Sequence, residues 1–228
     1  MVKFVFDVDG TLTPSRQLMD AEFQSWFIRF QENNATYLVT GSDRLKTLEQ
    51  VGSHVYNFAH RVYNCSGNSV WEQNKEIYCN DWKLPQEAEE WLREELEISK
   101  FPLRTGLHIE DRPGMVNFSV VGRNATLGER KLYAEWDNKS EERYTIAKAF
   151  MEKFPGILAL VAGETGIDIF PEGMDKGQII KDFEGDYVHF FGDKTEKGGN
   201  DYPLAKLITN GEVHSVQSWE DTWSLLRK

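Results

Sequence analysis

Apolar residues follow two patterns along the first 64 residues, short continuous runs and a helical spacing. Residues 2–8 form a short apolar run rich in Val and Phe, which is typical of a buried strand. Four aromatic residues then follow at helical spacing, which predicts a helix over residues 20–33. Further strands are predicted at 36–40 and 61–64, with a helix at 44–51. Strands and helices that alternate in this order predict a parallel α/β sheet.

The middle of the chain has a different pattern. Apolar residues alternate with polar ones over residues 115–121, which predicts a half-buried antiparallel strand. Other elements predicted here are helices at 84–98 and 141–154 and strands at 106–109, 157–162 and 167–170. This part is therefore expected to be an α+β domain.

The first pattern returns after residue 173. The elements predicted there are helices at 176–183, 201–208 and 219–226 and strands at 187–191 and 213–216. The sequence therefore predicts a Rossmann-like, parallel-sheet α/β core over residues 1–80 and 174–228. An α+β cap, an antiparallel sheet with helices, is inserted at residues 81–173.

The amino-acid composition and the net charge limit the kinds of molecule that the protein is expected to bind. Apolar residues make up 40% of the chain, which is enough to bury a substantial core. The net charge is −11 and no long run of Lys or Arg occurs, so we expect neither a nucleic-acid nor a membrane partner. Any phosphate pocket must therefore gather its own Arg and Lys side chains. The N-terminal apolar run is too short for a signal peptide, and Cys65 and Cys79 are too few for a disulfide scaffold, so we expect a cytoplasmic protein.

Two carboxylates, Asp7 and Asp9, lie two residues apart at the end of the first predicted strand. Ligands bind at the carboxyl ends of strands in open α/β sheets. One carboxylate there could attack phosphorus, and the other could transfer a proton. A solvated acidic turn is the alternative, since Asp-Gly alone is weak evidence.

A second acidic loop strengthens the case for phosphoryl transfer. Asp193 follows another apolar strand, and Gly198-Gly199-Asn200-Asp201 comes soon after it. Two such strand ends side by side would form an oxygen-rich Mg²⁺ site. The metal would neutralise repulsion between an anionic nucleophile and a phosphate.

Hydroxyl groups and a lysine could bind the phosphate. Thr40 and Ser42 follow a third strand at the start of a helix, where backbone amides can bind phosphate. The same pattern also occurs as an ordinary N-cap. Lys176, at the start of another helix, could add a positive charge or could be a surface lysine.

Several segments together resemble a known family. They are Phe6–Pro14 with Arg16-Gln17, Gly41–Asp43, Gly114–Asn117, Gly122–Asn124 with Glu129-Arg130, Asp168–Gly173 with Asp175-Lys176, and His189–Asp201. Their order resembles the haloacid dehalogenase-like phosphotransferase superfamily, and the closer similarity, over nearly the whole chain, is to the eukaryotic-type phosphomannomutase family. The sequence departs from that family at Ser66-Gly67-Asn68 and at Gly166, where Glu-Asn-Gly and a serine are usual.

The resemblance implies roles for these residues. Asp7 would be the nucleophile and Asp9 the general acid and base. Asp7, the backbone carbonyl of Asp9 and Asp193 would hold Mg²⁺. The residues expected to bind the phosphorylated sugar are Arg16, Thr40, Ser42, Arg112, Asn117, Arg123, Arg130, Asp168 and Lys176.

The expected function is the interconversion of mannose 6-phosphate and mannose 1-phosphate, with a hexose 1,6-bisphosphate as intermediate and activator. It requires a cap that closes, excludes water and binds the distal phosphate. A Mg²⁺-dependent sugar-phosphate phosphatase of the same superfamily is the alternative. A non-catalytic binding module with this fold would be expected to have lost acidic residues, yet Asp7, Asp9 and Asp193 are all present. The resemblance also suggests a homodimer formed through the cap.

Overall fold

The computed structural model describes all 228 residues. They form two compact units, which we call the core unit (residues 1–80 and 173–228) and the inserted unit (residues 81–172). The core unit contains a seven-stranded, largely parallel sheet, and the inserted unit contains a four-stranded antiparallel sheet. The predicted fold class is therefore confirmed. None of the helices has both the length and the apolar character that a membrane crossing requires.

The chain adds strands to the core sheet first on one side of the first strand and later on its other side. Its strands are β1 (Val2–Phe6), β2 (Thr36–Val39), β3 (Arg61–Asn64), β4 (Ser69–Glu72), β5 (Lys75–Cys79), β10 (Tyr187–Gly192) and β11 (Gly211–Ser215). They lie in the order β11-β10-β1-β2-β3-β4-β5, with β4 and β5 antiparallel at one edge. The chain passes from β1 through β2 to β3 and later returns to the other side of β1 with β10. The carboxyl ends of β1 and β10 therefore form the topological switch point at which ligands bind in such sheets.

Aromatic packing fixes the first helix on the core sheet. The helices of this unit are α1 (Ala21–Asn33), α2 (Arg44–Phe58), α6 (Tyr202–Ala205) and α7 (Trp219–Leu226), with 3-10 helices at Cys65–Gly67 and Lys176–Phe183. The carboxylate of Asp20 caps α1 by accepting two backbone N–H groups. Phe27 is fully buried and packs edge-on against Phe6 of β1. Burial of one such ring stabilises the fold by about 1.5–3 kcal/mol.

Some predicted bounds in the core unit are wrong. Helix α2 extends to Phe58 instead of ending at residue 51, although Gly52, at φ 80°, interrupts its helical geometry. The helix predicted at 201–208 is only the single turn α6. The β4–β5 hairpin was not predicted, because every side chain of β5 is exposed and no apolar alternation marks it. Gln73 and Asn74 turn this hairpin with positive φ values of 45° and 66°.

The inserted unit packs three helices against one face of its sheet. The strands are β6 (Ile109–Arg112), β7 (Met115–Phe118), β8 (Ile157–Ala162) and β9 (Gly166–Pro171), in the order β6-β7-β9-β8. The helices are α3 (Gln86–Ile98), α4 (Leu127–Ser140) and α5 (Glu142–Lys153). Phe118 and Ile169 of the sheet join Leu92, Tyr133 and Phe150 of the helices in one buried core. The opposite face of the sheet carries the polar side chains of Asn117 and Asp168, which are paired across β7 and β9.

Two predictions in the inserted unit are wrong, and one helix was not predicted. The strand predicted at 106–109 lies instead at Ile109–Arg112. Helix α4 was not predicted, because Leu127 and Leu132 are exposed and its polar and apolar positions are poorly segregated. The strand predicted over residues 115–121 ends at Phe118, and it is buried on both faces instead of one, since Asn117 is only 4% exposed.

Candidate active site

Two acidic loops leave the core sheet at its switch point. Phe6 at the end of β1 is in register with Phe191 of β10, so the two strands end side by side. Asp7 follows the first strand and Asp193 follows the second. The backbone N–H of Asp7 donates to the carbonyl oxygen of Phe191 at 2.9 Å, which extends the pairing to the nucleophile candidate itself.

Asp201 joins these two residues in a cluster of three carboxylates. One carboxylate oxygen from each of Asp7, Asp193 and Asp201 lies within 4.8 Å of the others. Asp201 is fully buried, and its Oδ2 accepts the backbone N–H of Lys194 at 3.0 Å. Gly10 closes the other side, at φ 82°, where a Cβ atom would lie 2.6 Å from Oδ2 of Asp193. The space beside Asp193 therefore requires glycine at position 10.

Lys176 is a buried counter-charge of this cluster. Its Nζ donates to Oδ1 of Asp7 at 2.5 Å and to Oδ1 of Asp201 at 2.7 Å. Burial acts to lower the pKa of Lys176, but the charges of Asp201 and Asp7 outweigh it and raise this pKa above its ordinary value. The lysine is thus held in its charged form.

Lys176 alone does not hold all of these carboxylates in their negatively charged form. Burial raises the pKa of Asp7 well above its ordinary value, and the opposing charge of Lys176 does not cancel this effect. Burial, with the charge of Asp201, raises the pKa of Asp193 to about 6. Three carboxylates at one point therefore fit a further hard cation, and carboxylate oxygens are the ligands that Mg²⁺ prefers.

Asp9 lies beside this cluster, and its side chain has different partners. Its Oδ1 accepts the backbone N–H of Arg16 at 2.7 Å and the amide of Gln50 at 2.9 Å. Its Oδ2 accepts the hydroxyl of Ser42 at 3.4 Å. Arg16 adopts the left-handed conformation, with φ 57°, as it makes this contact. A carboxylate held by three donors on neighbouring segments is positioned to transfer a proton.

The hydroxyl groups predicted to bind phosphate are arranged by the turn after β2. Thr40 is 1% exposed, and its Oγ1 accepts the backbone N–H of Ser42 at 3.0 Å. Asp43 caps α2 by accepting the N–H of Lys46 at 2.8 Å. The structure therefore brings Ser42 to Asp9 and gives Thr40 a role in shaping the turn.

In the inserted unit, the polar face of the sheet carries a charged cluster. Glu110, Asn117 and Asp168 are successive partners across β6, β7 and β9. The amide of Asn117 donates to Oδ1 of Asp168 at 2.6 Å. Arg112 and Arg123 both contact Oε2 of Glu110, each through Nε at 2.9 Å. The sheet register thus brings four predicted substrate-binding residues together.

Arg130 lies on α4 with a different set of partners. It donates to the hydroxyl of Thr165 at 3.0 Å and to the carboxylate of Glu164 at 3.3 Å. Its Nε and the Oδ1 of Asn117 are buried and have no hydrogen-bond partner in the protein. Buried polar atoms of this kind are normally hydrogen-bonded, so both fit groups that bind a polar ligand.

Three residues at these sites were not predicted. Asp201 was noted in a loop motif but given no role, because its approach to Asp7 depends on how residues 193–201 fold. Gln50 lies on α2, and nothing in its sequence context indicates contact with Asp9. Glu110 pairs with the predicted arginines, and its position two residues before Arg112 on a strand was an available signal.

Comparison with known proteins places the chain in a family. The model for eukaryotic phosphomannomutases matches residues 23–228. The phosphomannomutase of Saccharomyces cerevisiae is 33% identical, with 97% of this chain and 91% of the relative covered. The chain belongs to the eukaryotic phosphomannomutase family. A probable phosphomannomutase of Caenorhabditis elegans is 34% identical over 96% of this chain and 91% of its own length.

Solved structures with lower identity share the fold of this family member. A trehalose-6-phosphate phosphatase related protein superposes with a TM-score of 0.60 at 17% identity, covering 99% of this chain and 95% of its own. A haloacid dehalogenase-like hydrolase from Bacteroides thetaiotaomicron gives a TM-score of 0.55 at 15% identity, covering 89% of this chain and 84% of its own. These likenesses confirm a haloacid dehalogenase-like fold.

Proposed function

We propose that this protein interconverts mannose 6-phosphate and mannose 1-phosphate through a phosphorylated Asp7 and a hexose 1,6-bisphosphate. The proposal rests on membership of the eukaryotic phosphomannomutase family. The observation that carries it is the pair of carboxylates after β1. Asp7 lies buried against Lys176, while Asp9 is held separately by Arg16 and Gln50. One carboxylate can therefore act as nucleophile while the other transfers a proton.

The chemistry uses these two carboxylates in turn. In the first transfer, Asp9 takes a proton from the free hydroxyl of the sugar monophosphate, and that oxygen attacks the phosphoryl group on Asp7. The bond from phosphorus to Asp7 breaks, which gives the hexose 1,6-bisphosphate and a free Asp7 carboxylate. In the second transfer, an oxygen of Asp7 attacks the other phosphate, the bond from that phosphorus to the sugar oxygen breaks, and Asp9 returns its proton to the departing oxygen, so phosphorylated Asp7 is regenerated.

The cation site belongs to the same proposal. Asp7, Asp193 and Asp201 would hold Mg²⁺, together with the backbone carbonyl of Asp9. The ion would neutralise the charge that builds up as phosphate meets carboxylate. Asp201 enters this set because its carboxylate lies with the other two.

A mutase must also bind the phosphate that is not being transferred. We assign this task to the inserted unit, to Arg112, Arg123, Arg130, Asn117 and Asp168. Arginine suits it because its planar guanidinium donates two parallel hydrogen bonds to phosphate. The unpartnered Nε of Arg130 and Oδ1 of Asn117 support binding of a polar ligand there. Arg16, Ser42, Thr40 and Lys176 would serve the transferred phosphate in the core unit.

A sugar-phosphate phosphatase is the second candidate. It is supported by the likeness of the fold to a trehalose-6-phosphate phosphatase related protein. The phosphorylated Asp7 would then be attacked by water instead of a sugar hydroxyl, and free phosphate would be the product.

One reaction mixture separates the two candidates. Purified protein is incubated with MgCl₂, mannose 1-phosphate and a trace of hexose 1,6-bisphosphate, and both mannose 6-phosphate and free phosphate are measured. We expect isomerised sugar phosphate with little free phosphate. Free phosphate without isomerisation would establish the phosphatase and refute the mutase.

Substitutions then test whether the activity depends on Asp7 and Asp9. Asp7→Asn and Asp9→Asn should each abolish turnover. Asp20→Asn is a matched control, because asparagine caps α1 as well as aspartate and should leave turnover unchanged. Loss of activity in the control, or its retention in Asp7→Asn, would contradict the assignment.

The assembly and location of the protein are part of the same proposal. We propose a homodimer formed through the inserted unit, where Leu127, Leu132 and Tyr144 are exposed. Light scattering on the wild type and on Leu132→Lys tests this, and an unchanged dimer in the variant would refute that surface. We propose a cytoplasmic location, which cell fractionation would check.

A further inference from the structure

A cluster of two histidines and a glutamate lies on the core sheet, on strands whose acidic loops serve phosphoryl transfer. His189 of β10 is the register partner of Glu212 of β11, and His214 lies two residues further along β11. Nδ1 of His189, Nε2 of His214 and Oε2 of Glu212 all lie within 4.8 Å of one another. None of the three has a role in the proposed reaction. They belong to one compact unit, so their positions are fixed by one sheet.

The spacing of these atoms is that of metal ligands. Nδ1 of His189 lies 3.1 Å from Nε2 of His214, and Oε2 of Glu212 lies 3.6 Å from each nitrogen. Zinc bonds of about 2.0–2.2 Å at tetrahedral angles separate neighbouring ligand atoms by roughly 3.3–3.5 Å. The three distances bracket this separation, so small side-chain rotations would bring all three atoms to the spacing of ligands of one ion.

The surroundings hold each side chain in place for such an ion. The ring of His189 stacks on Phe4 with 5.0 Å between centroids, and that of His214 stacks on Phe191 at 4.3 Å. The hydroxyl of Tyr187 donates to Oε1 of Glu212 at 3.2 Å, which leaves Oε2 for the cation. Partners of this kind orient metal ligands in proteins.

The site is also accessible from solvent. The side chains of His189 and His214 are 23% and 21% exposed, and that of Glu212 is 56% exposed. β11 is the edge strand of the sheet, so an ion bound there would tie the edge strand to its neighbour. Imidazole nitrogen selects Zn²⁺ and similar transition metals over Mg²⁺.

We propose that His189, Glu212 and His214 form a second metal site, which binds Zn²⁺ or a chemically similar divalent transition metal and fastens β11 to β10. The three side chains supply three ligands and leave a fourth position for water. This site is separate from the Asp7 cluster in ligand type and in the metal that it prefers.

Zinc titration in excess MgCl₂ tests the proposal on the full-length protein. Every protein in this titration carries Asp193→Asn, which weakens the acidic cluster. Isothermal titration calorimetry with ZnCl₂ is run on this background alone, which keeps the wild-type histidine cluster, and on the same background with His214→Gln or Glu212→Gln. The matched control adds His54→Gln to this background, which removes an exposed imidazole from α2. We expect one zinc equivalent for the wild-type cluster and for the control, and at least about tenfold weaker binding for the other two variants.

A second measurement identifies the ligands. Co²⁺ in place of Zn²⁺ should give visible absorption bands typical of a tetrahedral site in the His54→Gln protein and not in His214→Gln. Thermal unfolding should show a ZnCl₂-dependent rise in Tm that both cluster variants lose. Equal zinc affinity in all variants, or no zinc binding by the wild-type cluster, would overturn the proposal. Glu212 is exposed, so Glu212→Gln should fold normally and keep the test decisive.

Discussion

Replacing Lys176 by methionine tests the balance of charge in the acidic cluster. The side chain is 1% exposed and contacts both Asp7 and Asp201. Methionine keeps much of the volume and removes the charge, so two buried carboxylates lose their cation. Breaking a buried ion pair in this way destabilises a protein by about 3–5 kcal/mol. This corresponds to a decrease of about 150- to 5,000-fold in the folding equilibrium constant.

Urea denaturation in EDTA, followed by circular dichroism, measures this loss. Lys194→Met is the matched control, because Lys194 also faces the cluster, 3.5 Å from Asp193, but its side chain is 52% exposed. Exposed pairs contribute about 0–1 kcal/mol, so the control should differ little from the wild type. Adding MgCl₂ should restore part of the stability of Lys176→Met, since a cation that binds only the folded state stabilises it. Equal losses in the two variants, or no effect of MgCl₂, would refute this account of the cluster.

Three further predictions follow from individual positions. Gly10→Ala should weaken Mg²⁺ binding in calorimetry, because its Cβ atom would contact Asp193. Gly185 has a similar φ of 81° but open space around it, so Gly185→Ala should leave Mg²⁺ binding unchanged and lose only the roughly 1–2 kcal/mol of stability that this backbone conformation costs alanine. Gly166→Ala would place a Cβ 2.6 Å from the amide of Asn117, so KM for the sugar phosphate should rise, and an unchanged KM would count against a binding role for Asn117. Burial raises the pKa of Tyr56 from 10.0 to about 12, so the stability that it contributes is complete below pH 10 and is lost as the pH rises towards 12. Urea denaturation between pH 10 and 12 should therefore show that the free energy of unfolding falls less steeply with pH for Tyr56→Phe than for the wild type. Parallel pH dependences of the two proteins would show that Tyr56 does not contribute.

The sequence predicted the acidic residues that come directly after strands. Asp7 and Asp193 could be found because an apolar run ends immediately before each of them. Asp201 could not be assigned in the same way, because its place beside Asp7 depends on a loop in which the N–H of Lys194 binds its carboxylate. Gln50 reaches Asp9 from the middle of helix α2, and such contacts have no local pattern.

Elements whose apolar positions follow no clear periodicity were also missed. The β4–β5 hairpin and helix α4 present exposed or mixed faces, so periodicity does not reveal them. By contrast, α1 was predicted within one residue at its start, because its apolar stripe faces the core and Asp20 caps it. The polar face of β7 was misread as exposed, because Asn117 is buried in a hydrogen bond with Asp168, a residue 51 positions away.

The pairing of β1 with β10 has a consequence for the order of folding. Val2 is in register with Tyr187, so β1 is synthesised about 185 residues before the strand with which it pairs. Until residues 187–192 emerge, β1 lacks one neighbour, and Asp7 lacks Asp193 and Asp201, which come after that strand. Such distant pairing slows folding and leaves a strand edge open to association in the meantime. The acidic cluster is therefore completed late, after the inserted unit has been synthesised, and a chain that stops before β10 has Asp7 and Lys176 without Asp193 and Asp201.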